Sequence, residues 1–287
     1  MMDETTVVIR ARGLVAEVKP TEIPVPIEAY LNHVGATLRV EDDLEEDEAG
    51  FSFQSNGKWY IGVNGNDREE RQRFTICHEL AHIVLQLPSE HKASPWWSYM
   101  KRPKTEILCD VFAAELLLPF RLFQPLAEGM AISFTSIDEL AARFMASRTA
   151  TGSRFATVIK APCAFVLSEQ GKVRYAARST SLREASAWIP PRRDIPAGSV
   201  SGRLRAGEKN LVAEAIDAED WFNDWDRGGT LMEEARYHSE WDQTLTLLSF
   251  EDEEIPPPSW APPRLSEEDE LLPELDGVLR FKSKKGR

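Results

Sequence analysis

Residues 74–86, Phe74-Thr-Ile-Cys-His78-Glu79-Leu-Ala-His82-Ile-Val-Leu-Gln86, set two imidazoles and a carboxylate into a run that is otherwise apolar. On a helix, positions i and i+4 lie one above the other, so His78 and His82 share a face. Glu79 stands about 100° further round. Phe74, Ile76, Cys77, Leu80, Ala81, Val84 and Leu85 cover the remaining faces, and Pro88 ends the pattern. A helix this apolar is a buried one, and burial leaves three polar side chains in need of partners. The spacing H-E-x-x-H meets that need when both imidazoles close on one metal ion and the carboxylate beside them takes a proton from water. These residues predict a Zn2+ site with His78 and His82 as ligands and Glu79 as the catalytic base.

A hydrolytic zinc takes a third protein ligand and keeps one position for water. Extension of the motif to H-E-x-x-H-x-x-G-x-x-H is excluded, because Leu85 and Pro88 occupy the last two places. The other arrangement draws a carboxylate from a second helix, and residues 103–119 fit it. Pro103 can open such a helix, Pro119 closes it, and Glu106, Asp110 and Ala113 fall on one face. Glu106 is then available as a ligand, and Asp110, one turn on, as acceptor for the N–H of a ligating histidine. Small Ala113 and Ala114 would let the two helices approach closely. Glu115 faces elsewhere and reads as a solvated or structural carboxylate.

The paired runs R-x-R-F-T-x-x-H-E-L-A-H at 71–82 and E-x-x-x-D-x-F-A-A-E-L-L-L-P at 106–119 closely resemble the ImmA/IrrE metallopeptidases. The likeness covers residues 20–160. It implies a zincin-like fold, with His78, His82 and Glu106 as zinc ligands and Glu79 as the catalytic residue. Asp110 stands where the family has Asn or Asp. The resemblance further implies a cytoplasmic protease that cleaves a partner repressor of the helix-turn-helix type, relieving repression of mobile elements or DNA-damage genes.

Eight Trp and thirteen Phe in a chain of 287 residues, 42% of them hydrophobic, can bury a core for one large or two modest domains. A net charge of −13 argues against nucleic acid as a partner of the whole molecule, though a local basic patch is compatible with it. Cys77, Cys109 and Cys163 suit a reducing compartment and read as small buried hydrophobes. The longest apolar runs fall short of a bilayer, and the start, Met1-Met-Asp-Glu-Thr-Thr, carries acid where a secretory signal carries base. A soluble cytoplasmic protein without membrane contact is expected.

Taken in order, Val7-Val-Ile-Arg-Ala-Arg alternates and reads as an edge strand or an arm. Residues 24–34 read as a helix closed by Gly35, and 36–40 as a strand. The acidic run Glu41–Glu48 reads as a solvated loop, ahead of a recruitment site for a basic partner. Phe51 and Phe53 alternate, Asn56-Gly57 turns, and Trp59 to Val63 returns as a hairpin, with Asn66-Asp67 as caps for the motif helix. In zinc proteases with this motif a sheet edge holds the substrate as an added strand, and Trp59, Tyr60 and Ile61 are the candidates for it. Between the two motif helices stand His91, Trp96, Trp97 and Tyr99. Tyr99 and His91 are candidate donors to the tetrahedral oxyanion, and Tyr99 is placed among the substrate-binding residues.

Residues 120–160 read as wholly helical, with a capping box at Ser136 and Glu139. E-L-A-A-R-F-x-x-S-R-x-A resembles a helix-turn-helix whose recognition helix would be 147–155. Five bases (Arg121, Arg143, Arg148, Arg154, Lys160) against three acids (Glu128, Asp138, Glu139) leave the segment at +2. A DNA reader normally carries more, so a module packed on the protease or gripping the repressor is favoured over direct DNA binding. Beyond 160, a hairpin about Gln170-Gly171 and strands at 230–236 and 243–250 suggest a small mixed α/β domain, which by position resembles a GAF-like sensor. Trp221, Trp225 and Trp241 read as core. From 251 onward proline and like-charge runs predict a flexible tail with Leu271, Leu272 and Leu275 as docking points.

The fold class expected is α+β: a zincin-like metallopeptidase domain over 1–119, a helical module over 120–160, an α/β domain over 161–250 and an acidic tail over 251–287. The function expected is a zinc endopeptidase acting on a repressor encoded nearby. The alternatives are a DNA-binding regulator with structural zinc, and the peptidase of a toxin–antitoxin or defence pair.

Overall fold

Helix α1 (Glu4–Val18) opens the chain in the computed structural model, which describes residues 2–45, 48–88, 103–209, 212–250 and 255–257. The alternation at Val7 to Arg12 is therefore not a strand. Val7, Ala11 and Leu14 form a stripe at helical spacing and are buried, and the Asp3 carboxylate caps the helix by accepting from the Thr6 N–H at 2.9 Å. Valine and isoleucine favour strands only weakly, and packing of this stripe overrides the preference.

Helix α2 (Ile27–Val34) ends at Gly35, whose φ of 75° suits a residue without Cβ. Strands β1 (Ala36–Glu41), β2 (Gly50–Ser55) and β3 (Lys58–Asn64) follow, joined between the last two by Asn56 and Gly57, both at positive φ. The sheet order is β1-β3-β2, with β1 parallel and β2 antiparallel to β3. This corrects the placing of a substrate strand on Trp59, Tyr60 and Ile61. They lie on β3, which is bonded on both sides and has no edge to offer; among the described residues the edges are β1 and β2.

Helix α3 (Glu69–Leu85) carries the H-E-x-x-H run and packs on β2 and β3. Its N-cap is Arg68, without a side-chain cap bond, and the expected cap Asp67 pairs instead with Arg71 at 3.1 Å. Helix α4 (Lys104–Leu117), opened by Pro103, lies along α3 and α1. Cys77 and Ala81 on one helix and Cys109 and Ala113 on the other are fully buried, small enough for close approach.

Helices α5 (Phe120–Ala127), α6 (Phe134–Phe144) and α7 (Arg148–Val158) make 120–160 helical as expected. The cap of α6 comes earlier than the capping box implied: Ser133 accepts from the Ser136 N–H at 3.2 Å, and Ser136 is inside the helix. Ser147 caps α7.

A second sheet follows, built from β4 (Cys163–Glu169), β5 (Lys172–Arg178), β6 (Ala213–Asp217), β7 (Thr230–His238) and β8 (Gln243–Phe250) in the order β5-β4-β8-β7-β6. Every pair is antiparallel. Short helices α8 (Thr180–Glu184), α9 (Val200–Arg205) and α10 (Ala218–Trp221) sit in the connections. Strand β4 is buried along its whole length because both faces are covered. Phe165 and Leu167, with Leu245 and Leu247, join the core that begins at Val7 and runs through α3, α4 and α7. Ala164, Val166 and Leu248 face a second cluster around Trp221, Phe222 and Trp225. Two of the three tryptophans expected in the core are there, and Trp241 is half-buried against His238.

Strand β7 grips α6 directly. Glu234 accepts from the Phe134 N–H at 2.8 Å, while Arg236 pairs with Asp138 at 2.6 Å and lies over the Phe134 ring. Glu115 is structural, held by buried Arg154 at 2.7 Å and by Arg12 at 3.3 Å, so that α1, α4 and α7 meet on one carboxylate. The described residues up to Pro256 form one compact unit. The segment with His91, Trp96, Trp97 and Tyr99, and the tail with Leu271, Leu272 and Leu275, lie outside the described residues. Among the described residues, no helix is long and apolar enough to cross a membrane.

Removing one partner of a buried ion pair strands the other charge, which costs about 3–5 kcal/mol. Arg154→Met should therefore lower the unfolding free energy by about 3 kcal/mol in urea titration, and a loss under 1 kcal/mol would show that Arg12 suffices to hold Glu115.

Candidate metal centre

Helix α3 brings His78 and His82 together as their spacing requires: the two Nε2 atoms are 3.1 Å apart. Glu106, on the first turn of α4, reaches both, with Oε2 3.0 Å from His78 Nε2 and Oε1 3.6 Å from His82 Nε2. All three side chains are nearly excluded from solvent. The far side of each ring is also engaged. His78 Nδ1 donates to Asp110 Oδ1 at 2.9 Å, and His82 Nδ1 donates to the Leu87 carbonyl at 3.2 Å. Leu87 arrives there because α3 ends in left-handed Gln86 (φ 56°), which turns the chain back over the last helical turn.

These outer bonds decide what the inner nitrogens can do. A carbonyl and an ionised carboxylate only accept, so both Nδ1 atoms carry hydrogen and each neutral ring presents an Nε2 lone pair inward. Two lone pairs and a carboxylate facing one another in a buried space repel unless a cation stands among them. Donors about 2.0–2.1 Å from a tetrahedral metal lie roughly 3.3 Å apart, and the separations of 3.0, 3.1 and 3.6 Å bracket that figure. The donor set therefore fits a divalent metal ion.

Without a metal, a proton takes the cation's place. Burial favours neutral His78, but the hydrogen bonds to Asp110 and Glu106 and the nearby charges of Asp110 and Glu79 outweigh it and raise its pKa to about 9. Burial likewise opposes charge on Glu106, yet its bonds to His78 and His82 hold it well below the usual carboxylate range.

Residues 31–155 match the model of the IrrE N-terminal-like domain, peptidase family M78. Over these residues the chain is similar to the ImmA/IrrE family. The chain is 32% identical over 148 residues to the radiation response metalloprotease IrrE of Deinococcus deserti, an alignment covering 48% of this chain and 52% of that protein, about half its length. Its fold is also similar to that of a solved Mycobacterium tuberculosis transcriptional regulator, with a TM-score of 0.59 at 16% identity, over 86% of this chain and 76% of the other.

Within this segment, three features of the site have no signature in the sequence. The Ser52 hydroxyl of β2 donates to Glu79 Oε2 at 2.7 Å, and a lone serine in a strand carries no pattern that marks it. The Leu87 carbonyl is backbone and has no side-chain signature. The third is Cys109, one turn beyond Glu106, whose thiol lies within 4.8 Å of the donor atoms of His78 and His82. A sulfur sharing a tetrahedral zinc with a histidine would stand about 3.6 Å from its nitrogen, and Glu106 already meets the closer spacing, so Glu106 is the better third donor. Cys77 and Cys163 are simply buried thiols, each pushed up to about 12 by burial. The supposed recognition helix α7 has its arginines engaged, Arg148 with Asp138 and Arg154 with Glu115.

Glu106→Ala should abolish tight metal binding, Asp110→Asn should weaken it about 10- to 100-fold, and Cys109→Ser should leave it unchanged, as read by metal analysis after dialysis. Loss of metal in Cys109→Ser with retention in Glu106→Ala would exchange their roles. The raised pKa of His78 has its own signature in the metal-free protein. The folded state holds a proton that the unfolded state releases above its ordinary value of 6.5, so stability should fall as pH rises from 6.5 to about 9. Chemical denaturation of the chelated protein across this range should show the decline. Metal-loaded protein should lack it, since the ion replaces the proton.

Proposed function

We propose that the chain is a metal-dependent endopeptidase whose substrate is a partner protein, a helix-turn-helix repressor encoded nearby. The observation that carries this reading is the convergence of His78, His82 and Glu106 with Glu79 beside them. Two nitrogens and one carboxylate oxygen are the donor set of hydrolytic zinc sites, and a zinc held by them would polarise a peptide carbonyl and activate water. The chain's own residues supply the rest. Glu79, next to His78 but turned toward β2, is the group to accept a proton from water and return it to the leaving amine. Asp110 and the Leu87 carbonyl keep both imidazoles in the ligating tautomer.

An extended peptide needs a strand edge to lie on. Among the described residues β2 is an edge strand, and its Ser52 touches Glu79, so β2 takes the part assigned from sequence to β3. The choice of a protein substrate over DNA is supported by the engagement of Arg148 and Arg154 in internal ion pairs, since a reading helix must spend such side chains on phosphates and base edges. A sensing role for the five-stranded sheet, and the repressor as substrate, are carried over from the family resemblance.

The test is incubation of the purified protein with the repressor encoded next to it. Cleavage should require metal, stop with chelator and resume on adding zinc. Glu79→Gln should keep its metal and lose at least about 1,000-fold in rate, the scale set by removing a positioned proton carrier. Undiminished cleavage by that variant would remove Glu79 from the chemistry.

A further inference from the structure

Strand β2 meets helix α3 in register. Gly50 has no room for a side chain, as a Cβ there would stand 2.6 Å from Thr75 Cγ2 and 2.5 Å from the Gly62 carbonyl oxygen. Residues two apart on a strand share a face, and residues four apart on a helix share a face. The contact of Gly50 with Thr75 is therefore repeated one step along, where Ser52 meets Glu79 with its hydroxyl 2.7 Å from Oε2. Phe51 and Phe53 alternate to the opposite face, where Phe53 stacks on Tyr60. The strand thus has contacts on both faces, and its register delivers Ser52 to one carboxylate oxygen.

We infer that Ser52 is a positioning residue for Glu79, fixing one oxygen of the carboxylate so that the other is presented to the reacting water. The inference rests on the metallopeptidase reading above and deepens it. A glutamate side chain has three rotatable bonds, and leaving it free dilutes the productive rotamer among several. A donor held on a strand removes that freedom before substrate arrives, at the distance of a charge-assisted hydrogen bond. Because β2 is also an edge strand among the described residues, a peptide paired along it would press on the element that orients the base. A hydroxyl that only satisfied a buried carboxylate would support stability alone, whereas a positioning hydroxyl must also govern how Glu79 meets a ligand at the metal.

The test uses full-length chain loaded with cobalt(II), whose visible spectrum reports coordination, and acetohydroxamic acid as probe. A hydroxamate chelates the metal and gives its hydroxyl hydrogen to a neighbouring carboxylate, so its affinity depends on how that carboxylate is aimed. Wild type should bind cobalt and respond to the probe. Ser52→Ala should bind cobalt equally well but bind the probe about 10-fold more weakly, the scale of one hydrogen bond to a charged group. Ser52→Thr should restore it, and Glu79→Gln should lose at least as much as Ser52→Ala. Wild-type probe affinity in Ser52→Ala, with the loss confined to Glu79→Gln, overturns the inference and leaves the metallopeptidase reading standing. Failure of wild type to bind cobalt, or a spectrum indifferent to the probe, overturns the metallopeptidase reading and the role of Ser52 with it.

Discussion

Two imidazole nitrogens held 3.1 Å apart with a carboxylate against them form an arrangement that cannot stand uncharged in a protein interior. Burial has removed the water that would separate them, so a positive charge must sit in their midst, as a proton or as a metal ion. Much of the amino-terminal half answers to that constraint. Helix α3 supplies both rings from one face, α4 supplies Glu106 and, one turn later, Asp110, and their small buried residues let the helices come close enough for all four groups to meet.

The rest of the described chain keeps α3 and α4 in place. Glu115, five residues past Asp110, ties α4 to α1 through Arg12 and to α7 through Arg154. Helix α7 in turn lies on the five-stranded sheet, where Gly152 leaves room for the Phe165 ring that a Cβ would meet at 2.3 Å. Strand β7 holds α6 by its first N–H and by Asp138. A helical pair that reads as helix-turn-helix in sequence is in this way tied to α4 on one side and to a sheet on the other, and its Arg148 and Arg154 serve cohesion.

What could be read in the sequence was local. The faces of α3 and α4 follow from spacing alone, so His78, His82, Glu106 and Asp110 are legible as a group in the sequence. The hairpin was legible through Asn56-Gly57. Sheet order was not, because the parallel pairing of β1 with β3 is made across an intervening loop and strand, and no local pattern says which strand becomes central. Helix α1 is not legible in the sequence because Val7 to Arg12 satisfies a strand period and a helix period at once, and only its burial against the core decides between them. Ser52 was invisible for a related reason: its importance lies wholly in what a distant helix places opposite it.

The two imidazoles differ in how their outer nitrogens are secured, and the difference matters for inheritance. His78 relies on the carboxylate of Asp110, which a single codon change can delete. His82 relies on the peptide oxygen of residue 87, which all twenty amino acids possess. Drift at position 87 cannot erase that acceptor; only a change in the path of the backbone can. One half of the centre is thus exposed to point mutation at its outer support, and the other is insured by the geometry of a helix end.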